Sequence, residues 1–361
     1  MPIRAALTLL NMLGTVLVVM LLLEGPGGML APPALAQEQG QVPGGALGGA
    51  SDSDFWRALR QGDRGTISIP NEQAGVLIQS EGDNWRAIRN GPLSTYGVWV
   101  LLGMIALLAL FFAIRGRIRI EAGPSGHRIR RFNGIERFAH WLTATTFVVL
   151  ALTGLNLLYG RYVLLPLLGP EIFSALTLGG KYAHNYLAFG FMAGLVMLFV
   201  LWVWANLPNH HDVVWLLKGG GMLKRGVHVS AKKFNAGQKI VFWLVILGGV
   251  SVNLSGIMLL FPFELSMFGE TFAWINWAFG TDYPAQLSAM QEMQFAQAWH
   301  AIVGLVLTAI IIAHIYIGTI GMEGAFDAMG SGEVDENWAR EHHNLWVRQL
   351  EKKGALGQGD D

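Results

Sequence analysis

Ala296–Met322, AQAWHAIVGLVLTAIIIAHIYIGTIGM, is an apolar stretch of membrane length with His300 near one end and His314 near the other. In a helix, fourteen residues at 1.5 Å rise place the two imidazoles about 21 Å apart along the axis, and fourteen steps of 100° return within roughly 40° of the same face. Ionisable side chains inside a bilayer segment are rare, face the interior of a bundle and mark functional pathways. Two imidazoles on one face at opposite depths suit two stacked hemes, each of which needs a further His from another helix.

The rest of the chain has to supply those partners. Only 14% of its residues are charged and 52% are hydrophobic; a typical soluble domain carries about 25% charged residues. Several apolar runs reach the roughly 20 residues that cross a bilayer as a helix, so the chain reads as an all-α integral membrane protein. It has no cysteine. That excludes disulfides, thiolate-held iron–sulfur clusters and covalent c-type heme attachment, leaving His as the available ligand for a redox centre. The formal net charge of +0 says little by itself, because what matters is where Lys and Arg sit; no nucleic-acid partner is expected.

Residues 1–36 read as a secretory signal, with Arg4, an apolar run from Ala5 to Leu23, and Ala34-Leu35-Ala36 before Gln37. Residues 37–95 form a periplasmic, partly disordered segment, in which 65–70 and 75–79 look like short strands. An extra membrane helix follows at 96–114, then a basic cytoplasmic linker at 115–136. Four more membrane helices are expected at 141–158, 183–205, 240–261 and 296–320, within a four-helix unit spanning 137–322. Residues 323–361 form a cytoplasmic tail, with an amphipathic helix expected over 333–353. Lys and Arg number seven in 115–140, six in 207–239 and four from 321 onward, against two in 159–182 and none in 263–295. By the positive-inside rule the first three segments are cytoplasmic and the last two periplasmic.

This topology assigns depth. His140 opens its helix at the cytoplasmic end and His184 opens the next at the periplasmic end, while His300 is periplasmic and His314 cytoplasmic. Depth therefore pairs His184 with His300 and His140 with His314 as axial ligands of two heme irons. Bis-histidine coordination fills both axial positions, which suits electron transfer rather than ligand activation. Gly154, fourteen residues after His140, would let a porphyrin approach the backbone. Gly190 and Gly194 form a G-x-x-x-G that close helix packing explains equally well. His127, His210, His211, His228, His342 and His343 fall in polar segments and read as solvated or interfacial. Trp274, Trp277 and Phe279, in the cation-free connection 263–293, suit the membrane interface or a partner subunit.

Several stretches together carry a family resemblance. Arg137-Phe-Ala-His140-Trp141, Ala183-His184, Lys232-Lys-Phe-Asn235-Ala-Gly-Gln238-Lys239, His300-Ala-Ile-Val-Gly304, Ala313-His314-Ile-Tyr316 and Trp338-Ala-Arg-Glu-His-His343 recur in order and spacing. Over residues 132–353 the chain resembles the gamma, cytochrome b556, subunits of membrane-bound respiratory formate dehydrogenases, in a longer form with an N-terminal extension.

The resemblance implies two b-type hemes on His140, His184, His300 and His314, in the pairing that depth assigns. It further implies a quinone, menaquinone or ubiquinone, reduced beside the cytoplasmic heme near Asn235 and Gly237, with Gln238 a neighbour. The implied partners are a periplasmic catalytic subunit with molybdenum or tungsten and an iron–sulfur subunit, set in inner-membrane lipid, with further assembly of that heterotrimer left open. Asn235 reads equally as a helix N-cap. The competing readings are the diheme cytochrome b of an uptake hydrogenase or of a thiosulfate or sulfur reductase, and a heme-free anchor or transporter with proton-relaying histidines.

Overall fold

The computed structural model describes residues 80–222 and 226–354. The signal, the stretch 37–79 and its two expected strands lie outside them. Two compact units divide the described residues: one holds Leu93–Leu260 and the residues from Ala296, the other Phe261–Phe295 and residues 80–92.

Helix α1 spans Ser80–Ile88 and leads through a kinked turn at Gly91 and Pro92 into α2, Ser94–Arg115. No charge interrupts α2 before Arg115, and 22 residues rise about 33 Å, one bilayer core. Most of its surface is exposed apolar side chain. Its inward contacts are few: Gly97 lies beneath Tyr159 and Leu305, the Tyr159 hydroxyl donates to the Ser94 carbonyl at 2.9 Å, and Phe111 meets Tyr316 edge-on.

After strand β1, Arg128–Arg130, comes α3, Gly134–Trp202, 69 residues long. Asn133 and Glu136 start it with a reciprocal capping box at 2.9 Å in both directions. The chain reverses at Gly169, whose φ of 75° and ψ of 168° are open to glycine alone, and Pro170 begins the returning half where its missing N–H costs nothing.

The two halves run antiparallel. Trp202 Nε1 donates to Glu136 Oε1 at 2.9 Å, Asn156 Nδ2 to Thr177 Oγ1 at 3.1 Å, and Gly190 and Gly194 pack against Thr146 and Thr143. Expected as two membrane-length helices joined by a surface connection at 159–182, this region is helical nearly throughout. Each half is about 50 Å long at 1.5 Å per residue, well beyond a 30 Å hydrocarbon core.

Helix α4, His210–Leu217, precedes α5, Ala236–Leu260. Leu195 of α3 fits over Gly249 of α5, Phe199 meets Trp243 edge-on, and Trp243 Nε1 donates to the Asn206 carbonyl at 3.0 Å. In the second unit, α6 covers Met267–Phe279. The buried Glu292 carboxylate accepts the N–H groups of Phe268 and Gly269 at 2.9 and 2.7 Å, satisfying orphan donors at a helix start. Trp274, Trp277 and Phe279 on α6 are exposed.

Helix α7, Ala289–Tyr316, ends in a wide π turn over Ile317–Gly321. Leu307 lies over Gly248 of α5, and Trp299 Nε1 donates to Ser251 Oγ at 2.8 Å. Outward positions of the bundle, among them Leu152, Val196, Leu247 and Val306, are exposed and apolar, as lipid-facing surfaces require.

The tail departs from expectation. It folds as α8, Asp327–Gly330, strand β2, Glu333–Asp335, helix α9, Glu336–His342, and helix α10, Asn344–Lys352. β2 pairs antiparallel with β1 in the register Ile129 opposite Val334. Val334, Trp338, Trp346 and Val347 are buried in one continuous cluster with Ile129, Phe132, Phe191 and Trp202. The basic linker and the tail thus form a cap on one end of the bundle. His343, read from its polarity as solvated, is 1% exposed.

Candidate functional site: two imidazole pairs

The four intramembrane histidines meet in two pairs. His140 in the second turn of α3 faces His314 of α7 with ring centroids 6.2 Å apart. His184, in the returning half of α3, faces His300 with centroids 6.0 Å apart. A metal–nitrogen bond of about 2.0 Å plus roughly 1.1 Å from ring nitrogen to ring centre, doubled across a trans N–Fe–N axis, comes to about 6.2 Å. Both pairs stand at that separation, one helix-length of fourteen residues apart on α7.

Among the described residues no three His, Asp or Glu side chains converge as a mononuclear metal site would need. Each pair would offer two nitrogens, and a metal held between them would need its remaining donors from the group that carries it, as a porphyrin supplies. The local backbone is open at one level: a Cβ on Gly154 would reach His184 Cε1 at 3.5 Å, and one on Gly256 would reach His300 Cε1 at 3.2 Å. Gly154 lies, as expected, beside the His184 pair; Gly256 of α5 is an addition that the sequence reading missed. Gly190 and Gly194 serve helix contact, each against a threonine of the other half-hairpin.

The pairs differ in what lies behind the rings. His184 Nδ1 is 2.8 Å from Thr153 Oγ1. The Thr153 hydroxyl proton is directed to the carbonyl of Val149 at 2.7 Å, leaving the oxygen as acceptor. His300 Nδ1 is 3.0 Å from the Val252 carbonyl and 3.2 Å from Ser255 Oγ. A carbonyl can only accept, so His300 carries its proton on Nδ1 and its Nε2 lone pair is free to bind a metal. His140 Nδ1, by contrast, is buried with no hydrogen-bond partner, and among the described residues His314 has none either. Thr153 and Ser255 went unnoticed in the sequence because a hydroxyl one helix away from a His has no local signature.

The candidate quinone residues sit elsewhere, at the start of α5. Asn235 Oδ1 accepts from Gln238 N–H at 2.9 Å and Gln238 Oε1 accepts from Asn235 N–H at 3.1 Å, a capping box that confirms the N-cap. A Cβ on Gly237 would press on the Trp215 ring at 2.9 Å. Gln238 Oε1 also lies 3.4 Å from Arg131 Nη2, so its carbonyl is committed to structure. No hydrogen bond among the described residues joins Asn235 or Gly237 to His140 or His314. One turn on, the buried Lys239 ammonium binds Asp212 at 2.8 Å and the Leu207 carbonyl at 2.9 Å, tying α5 to α4. His228 pairs with Glu121 at 3.1 Å, and the His210 and His211 rings lie 3.8 Å apart, tilted by 45°.

A four-helix unit carrying two transmembrane pairs of imidazoles describes a membrane cytochrome b. The chain belongs to the prokaryotic cytochrome b561 family, whose model matches residues 131–332, and the family implies b-type heme. It is 27% identical over 235 residues to the nitrate-inducible formate dehydrogenase cytochrome b556(Fdn) subunit of Escherichia coli K12, covering 64% of this chain and 96% of that protein. It is 26% identical over 226 residues to the cytochrome b556(fdo) subunit of the same organism, with 62% and 94% covered. The formate dehydrogenase cytochrome b556 subunit of Haemophilus influenzae is 25% identical over 226 residues, with 62% and 83% covered.

Proposed function

We propose that the chain is the cytochrome b subunit of a respiratory formate dehydrogenase. In this reading it relays electrons from a periplasmic iron–sulfur subunit to a quinone reduced on the cytoplasmic side of the inner membrane. Formate oxidation belongs to a separate molybdenum or tungsten subunit. The observation that carries the reading is the occurrence of two imidazole pairs at trans-iron spacing, 6.0 and 6.2 Å, about 21 Å apart along one helix. The similarity to formate dehydrogenase subunits over more than nine-tenths of two relatives favours formate over hydrogen or thiosulfate as the ultimate donor.

His184 and His300 would hold one b heme and His140 and His314 the other. Bound there, each heme supplies reversible one-electron transfer with both axial positions filled. The protein's part is placement. α7 fixes the vertical separation, the α3 hairpin presents one ligand at each level, and α5 sets Val252 and Ser255 behind His300. The lipid-facing exterior and packed interior keep bulk water from the pairs. Inward electron movement against the membrane potential costs about 2.3 kcal/mol per 100 mV, which the drop from formate to quinone must exceed.

Asn235, freed on its amide side by the capping box, would offer Nδ2–H to a quinone carbonyl, with protons drawn from the cytoplasm. Purified protein should contain two protohemes per chain and show a b-type α-band in the reduced-minus-oxidised spectrum. One heme per chain, or none, ends the proposal.

A further inference from the structure

We infer that the two imidazole pairs are tuned to different reduction potentials, and that Thr153, with the Val252 carbonyl and Ser255, sets the lower one. The inference rests on the diheme reading above. An imidazole bound to iron through Nε2 carries its remaining proton on Nδ1. An acceptor there draws that proton outward, raises the basicity of the ring and strengthens it as a donor to the metal. A stronger axial donor stabilises ferric over ferrous iron and lowers the potential, one of the few levers a protein has over heme.

Both rings of the His184/His300 pair have such an acceptor. Thr153 Oγ1 lies at 2.8 Å, and the Val252 carbonyl and Ser255 Oγ lie at 3.0 and 3.2 Å. The Thr153 proton is already given to Val149 and the Ser255 proton to Val252 at 3.0 Å, so both hydroxyl oxygens face the imidazoles as acceptors. Among the described residues neither ring of the other pair has one, and His140 Nδ1 is buried without a partner. His140 and His314 would therefore hold an iron as the weaker donor pair and give it the higher potential.

The order has a consequence for direction. With hemes held at both levels, the asymmetry of hydroxyls and carbonyls would make transfer from the His300 level to the His314 level downhill. Thr153 and Ser255 act through the axial ligands and are positioning residues.

The test is potentiometric titration of the intact, heme-replete protein, followed by α-band absorbance and by the electron paramagnetic resonance of each ferric heme. Thr153→Val removes the Oγ1 acceptor at nearly constant volume and leaves the Leu150 carbonyl beside His184. The expected result is a rise in the midpoint of one heme only, with about a tenfold change in its oxidised-to-reduced ratio at fixed poise, or 59 mV for a one-electron couple. Thr153→Ser should restore the original midpoint. Ser255→Ala should raise the same midpoint by less, because the Val252 carbonyl remains. It also carries the test if Thr153→Val fails to retain heme. Assignment follows from His314→Ala, which should delete the higher-potential signal.

Two hemes with unmoved midpoints in both variants, or loss of the lower-potential signal in His314→Ala, would overturn the inference and leave the diheme reading standing. A preparation with fewer than two hemes overturns that reading and the inference with it.

Discussion

Arg131 Nη2 donates to the carbonyl oxygen of Lys233 at 2.6 Å, while its guanidinium lies 5.0 and 5.5 Å from the ring centroids of Trp338 and Trp346. The neighbouring Lys232 carbonyl receives His343 Nδ1–H at 2.7 Å. Two consecutive carbonyls just before Asn235 are thus held by buried donors, one from the linker and one from the tail. Burial draws the Arg131 guanidinium down to about 9, which still leaves it charged at neutral pH.

Replacing Arg131 with Met should loosen the loop that carries Asn235. The substitution removes a charged hydrogen bond, worth about 1.5–3 kcal/mol, and the cation–π contacts, about 0.5–2 kcal/mol each, and it leaves the Lys233 carbonyl without its donor. Amide hydrogen exchange across residues 226–238 should rise on the order of tenfold or more, with heme content unchanged. Arg131→Lys should recover part of the protection. Exchange in Arg131→Met that matches wild type would show the loop to be held by its capping box alone.

The docking of the tail should depend on pH. Burial lowers His342 to about 4, with His228 and the Arg131 charge adding to the effect. Burial also lowers His343 well below its ordinary 6.5, again with help from Arg131. Both rings are neutral in the folded cap, and Glu121 alone acts in the opposite sense on His342. As pH falls through 6.5 the undocked tail takes up protons that the docked tail refuses, so stability is complete above that pH. It is lost progressively as pH falls further, for His342 down to about 4, at up to about 1.4 kcal/mol per unit for each ring. Protease cleavage within 336–352 should accelerate between pH 7 and pH 5, and His342→Gln with His343→Gln should flatten the profile. A wild-type cleavage rate constant over that range would contradict this account.

These features also mark where sequence reasoning reached its limit. The meeting of His140 with His314 and of His184 with His300 was legible because helical rise and the Lys/Arg asymmetry of the loops are both encoded locally, and the Asn235 cap because Asn is a favoured residue at a helix start. The burial of His343 and Arg131 was not. Their polarity matches that of solvated neighbours, and what buries them is a β1–β2 pairing between Ile129 and Val334, too distant in the chain for any periodicity to report. The α3 hairpin was read as two membrane-length helices, 141–158 and 183–205, joined by a surface connection at 159–182. In the structure only Gly169 leaves the helical conformation. Thr153 was invisible for a related reason: its partner His184 is reached only once the hairpin closes.

Gly169→Ala tests that turn. With φ of 75° and ψ of 168°, a Cβ there costs about 1–3 kcal/mol in backbone strain, although no neighbouring atom lies within 4 Å of its position. The variant should lower the thermal midpoint of the purified protein by a few degrees while both hemes and their spectra survive, because His184 lies fifteen residues away. Loss of the His184/His300 heme would instead show that the tip of the hairpin fixes the ligand.

The four ligands make separable predictions. His140→Ala or His314→Ala should remove one heme of the two and abolish quinone reduction, while dye-linked formate oxidation by the proposed complex continues. His184→Ala or His300→Ala should remove the other heme and cut the cytochrome off from its donor, so that formate no longer reduces the heme that remains. Heme stoichiometry and formate-driven reduction of the α-band distinguish the two sets. A His140 variant whose remaining heme is slow to reduce with formate would invert the assigned order.

Asn235 has two roles that one substitution cannot separate, and a pair of substitutions can. Asn235→Ala removes the cap, at about 1 kcal/mol, together with any contact its amide makes to a quinone. Asn235→Asp keeps an oxygen for the Gln238 N–H and loses only the Nδ2 donor. If Asn235 binds quinone, the Asp variant should retain wild-type thermal stability and both hemes yet bind a quinone-site inhibitor at least tenfold more weakly, the cost of one good hydrogen bond to a buried carbonyl. If it is a cap alone, inhibitor titrations of the Asp variant and wild type will superimpose, and only the Ala variant will differ, in stability. The capping box predisposes the outcome toward the first result: it consumes the oxygen of Asn235 and leaves the amide nitrogen, the donor that a quinone carbonyl requires, without a hydrogen bond among the described residues.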